Sequence, residues 1–546
     1  MCMGQRSMRY FGQKLRLAEE LQEQARQKNF SPRAILGCIT TSKCGVIFRH
    51  ELASRLGIKD IIQVNHGQVS LKDIAHDLLG QASLSRIYAQ LIPNEKIAVD
   101  FSSPNIAKPF HVGHLSSTVI GNYICNLKRY LGDQVFAINY LGDWGSQFGL
   151  LSAGFRKFGE ENLLKNEPLK HLLDVYVKSH ELAEKDEEFS QTAVDHFAKL
   201  EAGDEDVKKL WFNLRHISLK EYFKLYTKLG IKFDVIQGES SFHLDSKELI
   251  TKLTKQRIIR ESRNLQGLYL SEDYFVPLVK SNGSTLYMTR DICAAISRRK
   301  QLGVKTLYYV VDNSQAKHFS DLQRCIDKIM NDPVRIVHVK FGRIEGLSTR
   351  KGQVVLLEDL IDEAQHRALK GMQETSTTRV SPDAYDKTSL NLALSALYVN
   401  TLKTRRQRNE KFDWERCFAL KGDSGVSLQY CHARLCSLRE SNKVEPVYHE
   451  EILELFLQDD HVRDSIYLLS QMEECLLRSD TLLESCEFLQ CLFKLCHSIN
   501  KTLRTAKVGN EPNRKLAETR LLLFERLKDA LANGLKLIGV RPLTSM

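Results

Sequence analysis

The chain has 546 residues, a formal net charge of +11 and an ordinary hydrophobic content of 42%. It is too long for a single domain and is expected to hold three or four. No apolar run reaches the roughly 18 residues that a membrane helix requires, so we expect no membrane partner. The positive charge favours a polyanionic partner. A merely soluble basic surface, or the alkaline bias of an organelle protein, explains the charge equally well.

The 13 cysteines are an odd number and are scattered along the chain, without a Cys-x2-Cys pair. The nearest neighbours in the second half are five positions apart within helical patterns, namely Cys431/Cys436, Cys486/Cys491 and Cys491/Cys496. Two zinc ligands usually lie closer in sequence than this. The cysteines therefore predict reduced core thiols, with no zinc and no organic cofactor.

Residues 1–30 are basic and contain no acidic residue before Glu19. The cations that precede it are Arg6, Arg9, Lys14 and Arg16. A basic, acid-poor, amphipathic start is typical of a mitochondrial targeting segment, which predicts the mitochondrial matrix, with the cytoplasm as the alternative. The other interpretation is an ordinary exposed helix over residues 12–28. Residues 31–90 are weakly patterned and are assigned to a short, divergent N-terminal domain.

A strand, a polar loop and a long helix are predicted from Ile97 onwards. The apolar run Ile97 to Val99 ends at Ser102-Ser103-Pro104, and a helical pattern then extends to Leu131. A short strand and the Gly-rich loop Gly142-Asp143-Trp144-Gly145 follow. This order is typical of the first unit of a nucleotide-binding α/β domain.

The segment His111-Val112-Gly113-His114 lies at the predicted start of that helix, just after Pro109. Its unsatisfied N–H groups and the positive end of the helix dipole suit a triphosphate. Gly113 has no Cβ, so a flat base can approach the backbone closely. The imidazoles of His111 and His114 can hydrogen-bond the charge that develops on a phosphate. The alternative is that the two histidines simply pack against the helix or cap it.

Residues 150–280 are rich in helix, with patterns of 3.6-residue spacing over 163–184 and 195–229, and a return to sheet structure over 233–242. The next motif, Leu286-Tyr287-Met288, predicts a short strand, after which Thr289 caps a helix. Tyr287 then lies at the strand end and Asp291 in the first helical turn, where both face a pocket. Alternatively, Asp291 only complements the helix dipole.

A buried strand is predicted over residues 306–311, and Gln315 and His318 follow its carboxyl end. Ligands of open α/β sheets bind at that end of the strands. Residues 341–352 then form a flexible basic loop, which is either functional or a hairpin with incidental charges. Its polar residues are Ser348, Thr349, Arg350 and Lys351. From about residue 390 the pattern is entirely helical.

Taken together, these sequence segments resemble those of the class I aminoacyl-tRNA synthetases, and more narrowly those of the arginyl-tRNA synthetases. Within that family the resemblance is greatest to the animal mitochondrial form. The resemblance extends from about residue 95 to Met546. It implies a Rossmann-like α/β catalytic domain over 91–389, a helical connective insertion within it over 150–280, and an all-α anticodon-binding bundle over 390–546.

The resemblance also implies a reaction: arginine–tRNA ligation, in which ATP with Mg²⁺ activates L-arginine for transfer to tRNA(Arg) by a monomeric enzyme. The implied catalytic residues are His111, His114, Lys108, Arg350 and Lys351. The implied ATP-binding residues are Gly113, Ser348 and Thr349 with the same two histidines. The implied arginine-binding residues are Asp100, Asn105, Tyr287, Asp291 and Gln315. The implied tRNA-binding residues are Tyr430, Arg434 and Met546. Which acid binds the guanidinium and which the α-ammonium stays open.

Two positions depart from the family pattern. Ser116 stands where arginine is usual, so either a basic contact near the phosphates or packing against the helix is expected to be lost. Ser427 stands where an aromatic residue is frequent, and if that residue stacks on an anticodon-loop base in the family, Ser427 cannot do so. A cysteinyl-type synthetase would need a zinc–thiolate pocket, which the cysteine spacing disfavours. A catalytically inactive, synthetase-derived RNA-binding protein is the second alternative, and the complete set of histidine and arginine-pocket residues disfavours it.

Overall fold

The computed structural model describes residues 9–27, 32–42, 45–48, 70–80, 94–281, 283–346, 355–376 and 378–546. The chain divides into two compact units. The first, here called the helical unit, contains Met1–Asn94, Asn126–Asp133 and Ile361–Met546. The second, here called the sheet unit, contains Glu95–Cys125 and Gln134–Leu360.

The strands in the described ranges are β1 (Ile39–Ser42), β2 (Gly45–Phe48), β3 (Lys96–Asp100), β4 (Gln134–Leu141), β5 (Val235–Gly238), β6 (Arg260–Ser262), β7 (Leu265–Ser271), β8 (Tyr274–Val279), β9 (Thr306–Asp312), β10 (Arg335–Phe341), β11 (Ile344–Glu345) and β12 (Glu410–Lys411).

The α-helices in the described ranges are α1 (Arg9–Gln27), α2 (Pro32–Leu36), α3 (Leu71–Gly80), α4 (Val112–Tyr130), α5 (Ser146–Phe158), α6 (Glu161–Asn166), α7 (Pro168–Ala183), α8 (Glu187–Ala202), α9 (Glu205–Leu229), α10 (His243–Lys255), α11 (Tyr287–Leu302), α12 (Ala316–Ile329), α13 (Leu357–Glu374), α14 (Tyr385–Leu402), α15 (Trp414–Cys417), α16 (Gly425–Ser441), α17 (Leu453–Phe456), α18 (Asp460–Ser470), α19 (Met472–Leu482), α20 (Ser485–Thr505) and α21 (Arg514–Leu537). None of the described helices is long and apolar enough to cross a membrane.

The sheet unit is built on a five-stranded parallel sheet in the order β10-β9-β3-β4-β5. Ala98, Ile138 and Leu307 of the sheet share one apolar core with Ile292 of α11 and Leu322 of α12. The chain order reverses between β3 and β9, and ligands of such sheets bind outside the carboxyl ends of the strands at this point. The predicted Rossmann-like α/β fold is confirmed.

The predicted strand over Leu286-Tyr287-Met288 is wrong. These residues lie at the N-terminal end of α11, whose N-terminal flanking residue, Leu286, makes no side-chain capping bond. The Thr289 hydroxyl instead donates to the Leu278 carbonyl oxygen over 2.6 Å, and Asp291 lies in the second turn. Short apolar runs do not distinguish a strand from a buried helix, because periodicity needs more residues than three.

The two long helical patterns predicted in the insertion are interrupted and become α6 to α9. Pro168 starts α7. The carboxylates of Asp186 and Asp204 each accept a hydrogen bond from the backbone N–H three residues later, and so cap α8 and α9. Gly203 ends α8 in the left-handed conformation, with φ 88°, which favours glycine. The helical insertion and the strand that follows it, β5, are as predicted.

In the helical unit, α1 is amphipathic and one face of it is buried, including Tyr10, Lys14 and Leu21. The Lys14 ammonium lies 2.6 Å from the Glu474 carboxylate and donates to the Ser470 carbonyl oxygen over 2.9 Å. The helix interpretation is correct over Arg9–Gln27, except that one face is buried where an exposed helix was expected.

The C-terminal part of the helical unit contains the predicted all-helical bundle. Cys475 and Cys491 form a disulfide between α19 and α20, with their Cα atoms 6.6 Å apart. The prediction of reduced thiols is therefore wrong for this pair, because helix packing joins cysteines that are 16 positions apart in sequence. Nine further cysteines of the described residues are not disulfide-bonded: Cys38, Cys125, Cys293, Cys325, Cys417, Cys431, Cys436, Cys486 and Cys496.

Candidate active site

The candidate site lies at the carboxyl ends of β3 and β9 in the sheet unit. Asp100 ends β3 and Asp312 ends β9, and the two strands are paired in parallel. Gln315 follows Asp312 in a short turn and flanks the N-terminus of α12, where its side chain is exposed. The sheet therefore brings residues more than 200 positions apart to one edge.

Asp100 is buried at this edge, and both of its carboxylate oxygens accept hydrogen bonds from the protein. Arg298 Nη1 donates to Oδ2 over 2.8 Å, and the Ser103 hydroxyl donates to Oδ1 over 2.7 Å. The Arg298 side chain is 1% exposed and the Asp100 side chain 7%. A buried carboxylate requires such partners, because an unpaired buried charge is very costly. Asp100 thus already has a guanidinium partner within the protein.

The loop after β3 has a constrained backbone. Ser102, Ser103 and Ala107 have positive φ values of 69°, 40° and 62°, which are uncommon for residues with a Cβ and cluster at functional sites. Asn105 is exposed and forms an isolated bridge with Gly142 of the Gly-rich loop. A Cβ at Gly142 would lie 1.8 Å from the Asn105 Oδ1 atom, so this close approach requires glycine.

Hydroxyl groups hold this loop against the neighbouring elements. The Ser102 backbone N–H donates to the Ser117 hydroxyl, which in turn donates to the Val310 carbonyl oxygen of β9 over 2.7 Å. The Ser102 hydroxyl also lies 2.7 Å from the Thr118 hydroxyl and accepts a bond from Tyr226. The loop geometry is therefore fixed by α4, α9 and the sheet together.

His111 and His114 lie together at the start of α4, with their ring centroids 4.0 Å apart. The Gly113 backbone N–H donates to His111 Nδ1 over 3.1 Å, and the His111 N–H donates to His114 Nδ1 over 3.2 Å. Burial lowers the pKa of His111, with a smaller contribution from the Lys108 cation. Burial and the neighbouring His111 lower the pKa of His114 to about 4. His114 is therefore neutral at physiological pH and able to exchange hydrogen bonds without carrying charge.

Lys108 lies beside the two histidines and is held by residues of α5 and α7. Its Nζ atom lies 4.4 Å from the centre of the Tyr176 ring on α7 and donates to Gln147 Oε1 over 3.3 Å. Burial lowers the pKa of Lys108. A cation over an aromatic ring is attracted by the ring quadrupole, which orients the lysine.

Ser348, Thr349, Arg350 and Lys351 lie outside the described residues. The described chain on the C-terminal side of that loop contacts the histidine segment. The Val112 N–H donates to the Val355 carbonyl oxygen over 3.2 Å, and the Leu357 N–H donates to the Phe110 carbonyl oxygen over 2.9 Å. Val355 and Leu357 thus lie beside the start of α4.

Tyr287 and Asp291 lie one turn apart on α11. Asp291 Oδ2 lies 2.8 Å from His318 Nε2, and its other oxygen has no hydrogen-bond partner among the described residues. The Tyr287 ring is 55% exposed and its centroid lies 5.0 Å from that of His318. His318 of α12 thus connects two of the predicted arginine-binding residues.

Two further charged residues lie in this region. Glu239 accepts a hydrogen bond from Arg290 Nε over 2.9 Å. Burial raises the pKa of Glu239 to about 7, although Arg290 opposes the increase. The sequence interpretation did not include Glu239, Arg290 or Arg298. Arg298 lies seven positions after Asp291 on the same predicted helix, a spacing that places both on one face.

The predicted tRNA-binding residues lie in the helical unit. Tyr430 is 42% exposed on α16, and the Arg434 guanidinium carbon lies 5.8 Å from its ring centroid. The C-terminal tail is tied to the same helix, because His432 Nδ1 lies 2.7 Å from the Leu543 carbonyl oxygen. The Met546 carbonyl oxygen accepts a hydrogen bond from the Arg379 N–H over 3.1 Å.

The two positions that depart from the family pattern are both buried. Ser116 is 5% exposed on α4, and Ser427 is 7% exposed in the first turn of α16. The Ser427 hydroxyl donates to the Gly422 carbonyl oxygen over 2.7 Å. Ser427 is thus part of the helix cap and presents no surface for a base to stack on.

Comparison with known proteins agrees with this geometry. A family profile described as "tRNA synthetases class I (R), catalytic domain" matches residues 77–414, and one described as "DALR anticodon binding domain" matches residues 428–546. A human protein described as "Probable arginine--tRNA ligase, mitochondrial" is 38% identical over 462 residues, which are 83% of this chain and 79% of that protein. The Saccharomyces cerevisiae protein described as "Arginine--tRNA ligase, mitochondrial" is 34% identical over 468 residues, 83% of this chain and 72% of that protein.

Among solved structures, the arginyl-tRNA synthetase of Plasmodium falciparum matches with a TM-score of 0.73 at 24% identity, over 97% of this chain and 92% of that one. At this identity the match supports the fold. The fold and the profiles define a class I aminoacyl-tRNA synthetase with an anticodon-binding domain. The chain belongs to the arginine–tRNA ligase family. The predicted family, fold class and enzyme class are confirmed.

Proposed function

We propose that this enzyme joins L-arginine to tRNA(Arg) in the mitochondrial matrix, acting as a monomer. The arginine carboxylate attacks the α-phosphorus of ATP, supplied as its Mg²⁺ complex, and arginyl-adenylate and pyrophosphate form. A terminal ribose hydroxyl of the tRNA then attacks the acyl carbon, and AMP leaves. The compartment is supported by the human and yeast relatives, which are both described as mitochondrial.

One observation carries the proposal: the predicted arginine-binding residues and the histidine pair of the sheet unit lie on segments that meet at the carboxyl edge of one parallel sheet. Asn105 and His111 follow β3, Gln315 follows β9, and Tyr287 and Asp291 lie on the helix that precedes β9. Neither reaction step needs a covalent enzyme nucleophile. Positioning of the reactants and stabilisation of phosphate charge are sufficient.

The proposed arginine pocket uses Asp291 as the carboxylate that meets the substrate guanidinium. Two other acids near Asp291 already have cationic partners: Asp100 pairs with Arg298, and Glu239 pairs with Arg290. Asp291 Oδ2 lies 2.8 Å from His318 Nε2, and its other oxygen has no hydrogen-bond partner among the described residues. A guanidinium offers forked donors that a lysine ammonium lacks, which favours arginine over lysine.

Tyr287, Asn105 and Gln315 complete the proposed pocket. The side chains of all three are exposed at this edge, so each is accessible to a free amino acid. The asparagine and glutamine amides offer acceptors for an ammonium and donors for a carboxylate. Asp100 contributes through the loop that carries Asn105, because its own oxygens are already bonded to Ser103 and Arg298.

For ATP, we propose that His111 and His114 hydrogen-bond the α-phosphate as charge develops on it, and that adenine lies against Gly113. A Cβ at Gly113 would lie 2.7 Å from His111 Cε1, so a larger residue would displace that ring. Lys108 supplies a positive charge at the phosphates. Ser348 and Thr349 contribute to ATP binding, and Arg350 and Lys351 clamp pyrophosphate oxygens.

For tRNA, we propose that Tyr430 stacks on a base of the anticodon loop and that Arg434 pairs with its backbone. Arg434 Nη1 is oriented by Asn500 Oδ1 over 2.7 Å. Met546 contributes through the C-terminal tail that is tied to α16. Stacking of this kind is worth roughly 1–3 kcal/mol per base.

The test is charging of total mitochondrial and total cytosolic tRNA with labelled arginine, ATP and Mg²⁺. We expect wild-type enzyme to charge the mitochondrial pool, and Asp291→Ala to lose about 10- to 150-fold in kcat/KM for arginine, since one charge-assisted contact, worth about 1.5–3 kcal/mol, is removed. Asp332→Ala, at a carboxylate that is 79% exposed, is the matched control. Well-folded wild-type enzyme that charges neither pool would contradict the proposal in favour of a catalytically inactive RNA-binding protein.

A further inference from the structure

Arg298 is a buried guanidinium that the reaction scheme above does not use. Four of the five strands of the parallel sheet provide its surroundings. Nη1 donates to Asp100 of β3 over 2.8 Å and to the Tyr309 hydroxyl of β9 over 3.2 Å. Nε donates to Gln237 of β5 over 3.3 Å, and the guanidinium carbon lies 4.9 Å from the centre of the Tyr140 ring of β4.

This arrangement is poorly explained by stability alone. The Arg298 side chain is 1% exposed, yet its Nη2 atom and the neighbouring Tyr140 hydroxyl are both buried without a hydrogen-bond partner among the described residues. A buried polar group without a partner costs about 1–3 kcal/mol. Replacement of a buried ion pair by apolar residues is often neutral or stabilising. The pair is therefore costly to keep where it is.

The position of Arg298 along the chain links it to the proposed pocket. Arg298 lies two turns after Asp291 on α11, and seven residues place the two on the same face, roughly 10 Å apart. The Asp100 carboxylate, which pairs with Arg298, also accepts a hydrogen bond from the Ser103 hydroxyl. That hydroxyl in turn accepts from the Tyr140 N–H over 3.1 Å. One guanidinium thus joins the helix of Tyr287 and Asp291 to the loop of Asn105.

We propose that Arg298 is a positioning residue for arginine recognition. It fixes α11 against the sheet edge, and it pairs with Asp100, whereas Asp291 keeps one oxygen available to the substrate. The inference builds on the proposed function. An arginine is required at this place because its planar fork reaches acceptors on three strands, which the single ammonium of lysine does not.

The test is ATP–pyrophosphate exchange with tRNA present, in which arginine and ATP are varied separately. We expect Arg298→Lys to raise the KM for arginine about 10- to 100-fold and to leave the KM for ATP within about twofold. The ratio of kcat/KM for arginine to that for lysine should fall by about tenfold. Arg299→Lys is the matched control, because the adjacent Arg299 pairs with the exposed Asp332 at the surface and both KM values should stay unchanged.

A double-mutant cycle separates a positioning role from direct substrate contact. If Asp100 acts through Arg298, Asp100→Asn combined with Arg298→Lys should be no worse for the arginine KM than the more affected single variant. Additive losses would mean that Asp100 binds arginine directly, which overturns the inference. If Arg298→Lys does not fold, Gln237→Ala is the substitute test, because it removes only the acceptor of Arg298 Nε. We expect this variant to raise the arginine KM 2- to 10-fold.

The remaining outcomes also decide the matter. A variant at Arg298 that lowers the melting temperature but keeps both KM values at a permissive temperature would show a purely structural role. Equal increases in the KM for arginine and for ATP would show a general distortion, and either result overturns the inference while the proposed function stands. Absence of exchange by wild-type enzyme with tRNA would overturn both.

Discussion

Each unit of the molecule contains a buried ion pair between segments that are distant in sequence. In the helical unit, Lys14 lies 2.6 Å from Glu474, with side chains 2% and 0% exposed. In the sheet unit, Arg298 lies 2.8 Å from Asp100, with side chains 1% and 7% exposed. By distance and burial the two pairs are nearly equivalent, so neither quantity distinguishes a structural pair from a functional one.

The neighbours of the two pairs differ. Lys14 also bonds the Ser470 carbonyl oxygen, and Glu474 accepts from the buried Thr41 hydroxyl, so the charges are enclosed by the fold. Arg298 instead lies on α11, and the first two turns of this helix present Tyr287 and Asp291 at the edge of the sheet. What a buried pair holds in place, rather than how deeply it is buried, indicates its role.

The largest expected effect is on stability, from Lys14→Met. This change leaves Glu474 buried without its cation, and removing one partner of a buried pair costs about 3–5 kcal/mol. We expect the free energy of unfolding from urea titration to fall by that amount, while the KM for arginine at 25 °C stays unchanged. Arg16→Met, at an exposed position of the same helix, is the control.

The matching double variant sharpens this result. Lys14→Met combined with Glu474→Met removes both charges, and apolar replacement of a buried pair is often neutral. Most of the lost stability should therefore return. If Lys14→Met raised the arginine KM as much as is expected for Arg298→Lys, the two ion pairs could not be assigned different roles, one structural and one in substrate recognition.

An intermediate effect is expected at Tyr176, whose ring lies 4.4 Å from the Lys108 ammonium. Loss of a cation–π contact costs about 0.5–2 kcal/mol, so Tyr176→Leu should lower kcat of pyrophosphate exchange about 2- to 30-fold. Tyr176→Phe keeps an aromatic face and should stay close to wild type. Equal kcat values for the leucine and phenylalanine variants would show that the ring does not orient Lys108.

The smallest effect concerns His114, which is half-buried and has no opposite charge among the causes of its pKa shift. Its pKa in the folded chain is about 4, below the value of about 6.5 in the unfolded chain. Between these values the folded chain binds fewer protons, so this histidine makes stability rise with pH from about 4 to 6.5 and has no such effect above 7.

Urea midpoints of wild type and His114→Asn, measured from pH 4.5 to 8, test this prediction. The urea midpoint of wild type, measured relative to that of His114→Asn, should fall as the pH falls below about 6.5. His180→Gln, at a histidine that is 56% exposed, is the control. A difference between wild type and His114→Asn that grows towards acid pH would contradict the direction of the shift.

Much of the candidate site could be proposed from the sequence because its signals are local. The strand before Asp100, the helix after Pro109 and the strand before Gln315 each occupy a few consecutive residues, and the structure places them where the sequence indicates. The carboxyl ends of parallel strands meet at one edge, so a list of residues that follow such strands predicts a site before any distance is known.

The sequence by itself determined the family, the order of elements and the polar residues that end the strands, because each depends on short-range pattern and composition. Only the tertiary structure decided that Asp100 pairs with Arg298, that α1 is buried through Lys14, that Cys475 joins Cys491, and that Tyr287 begins a helix. The physical reason is common to all four. Each outcome depends on what a side chain or short segment packs against, and those partners lie far away in sequence.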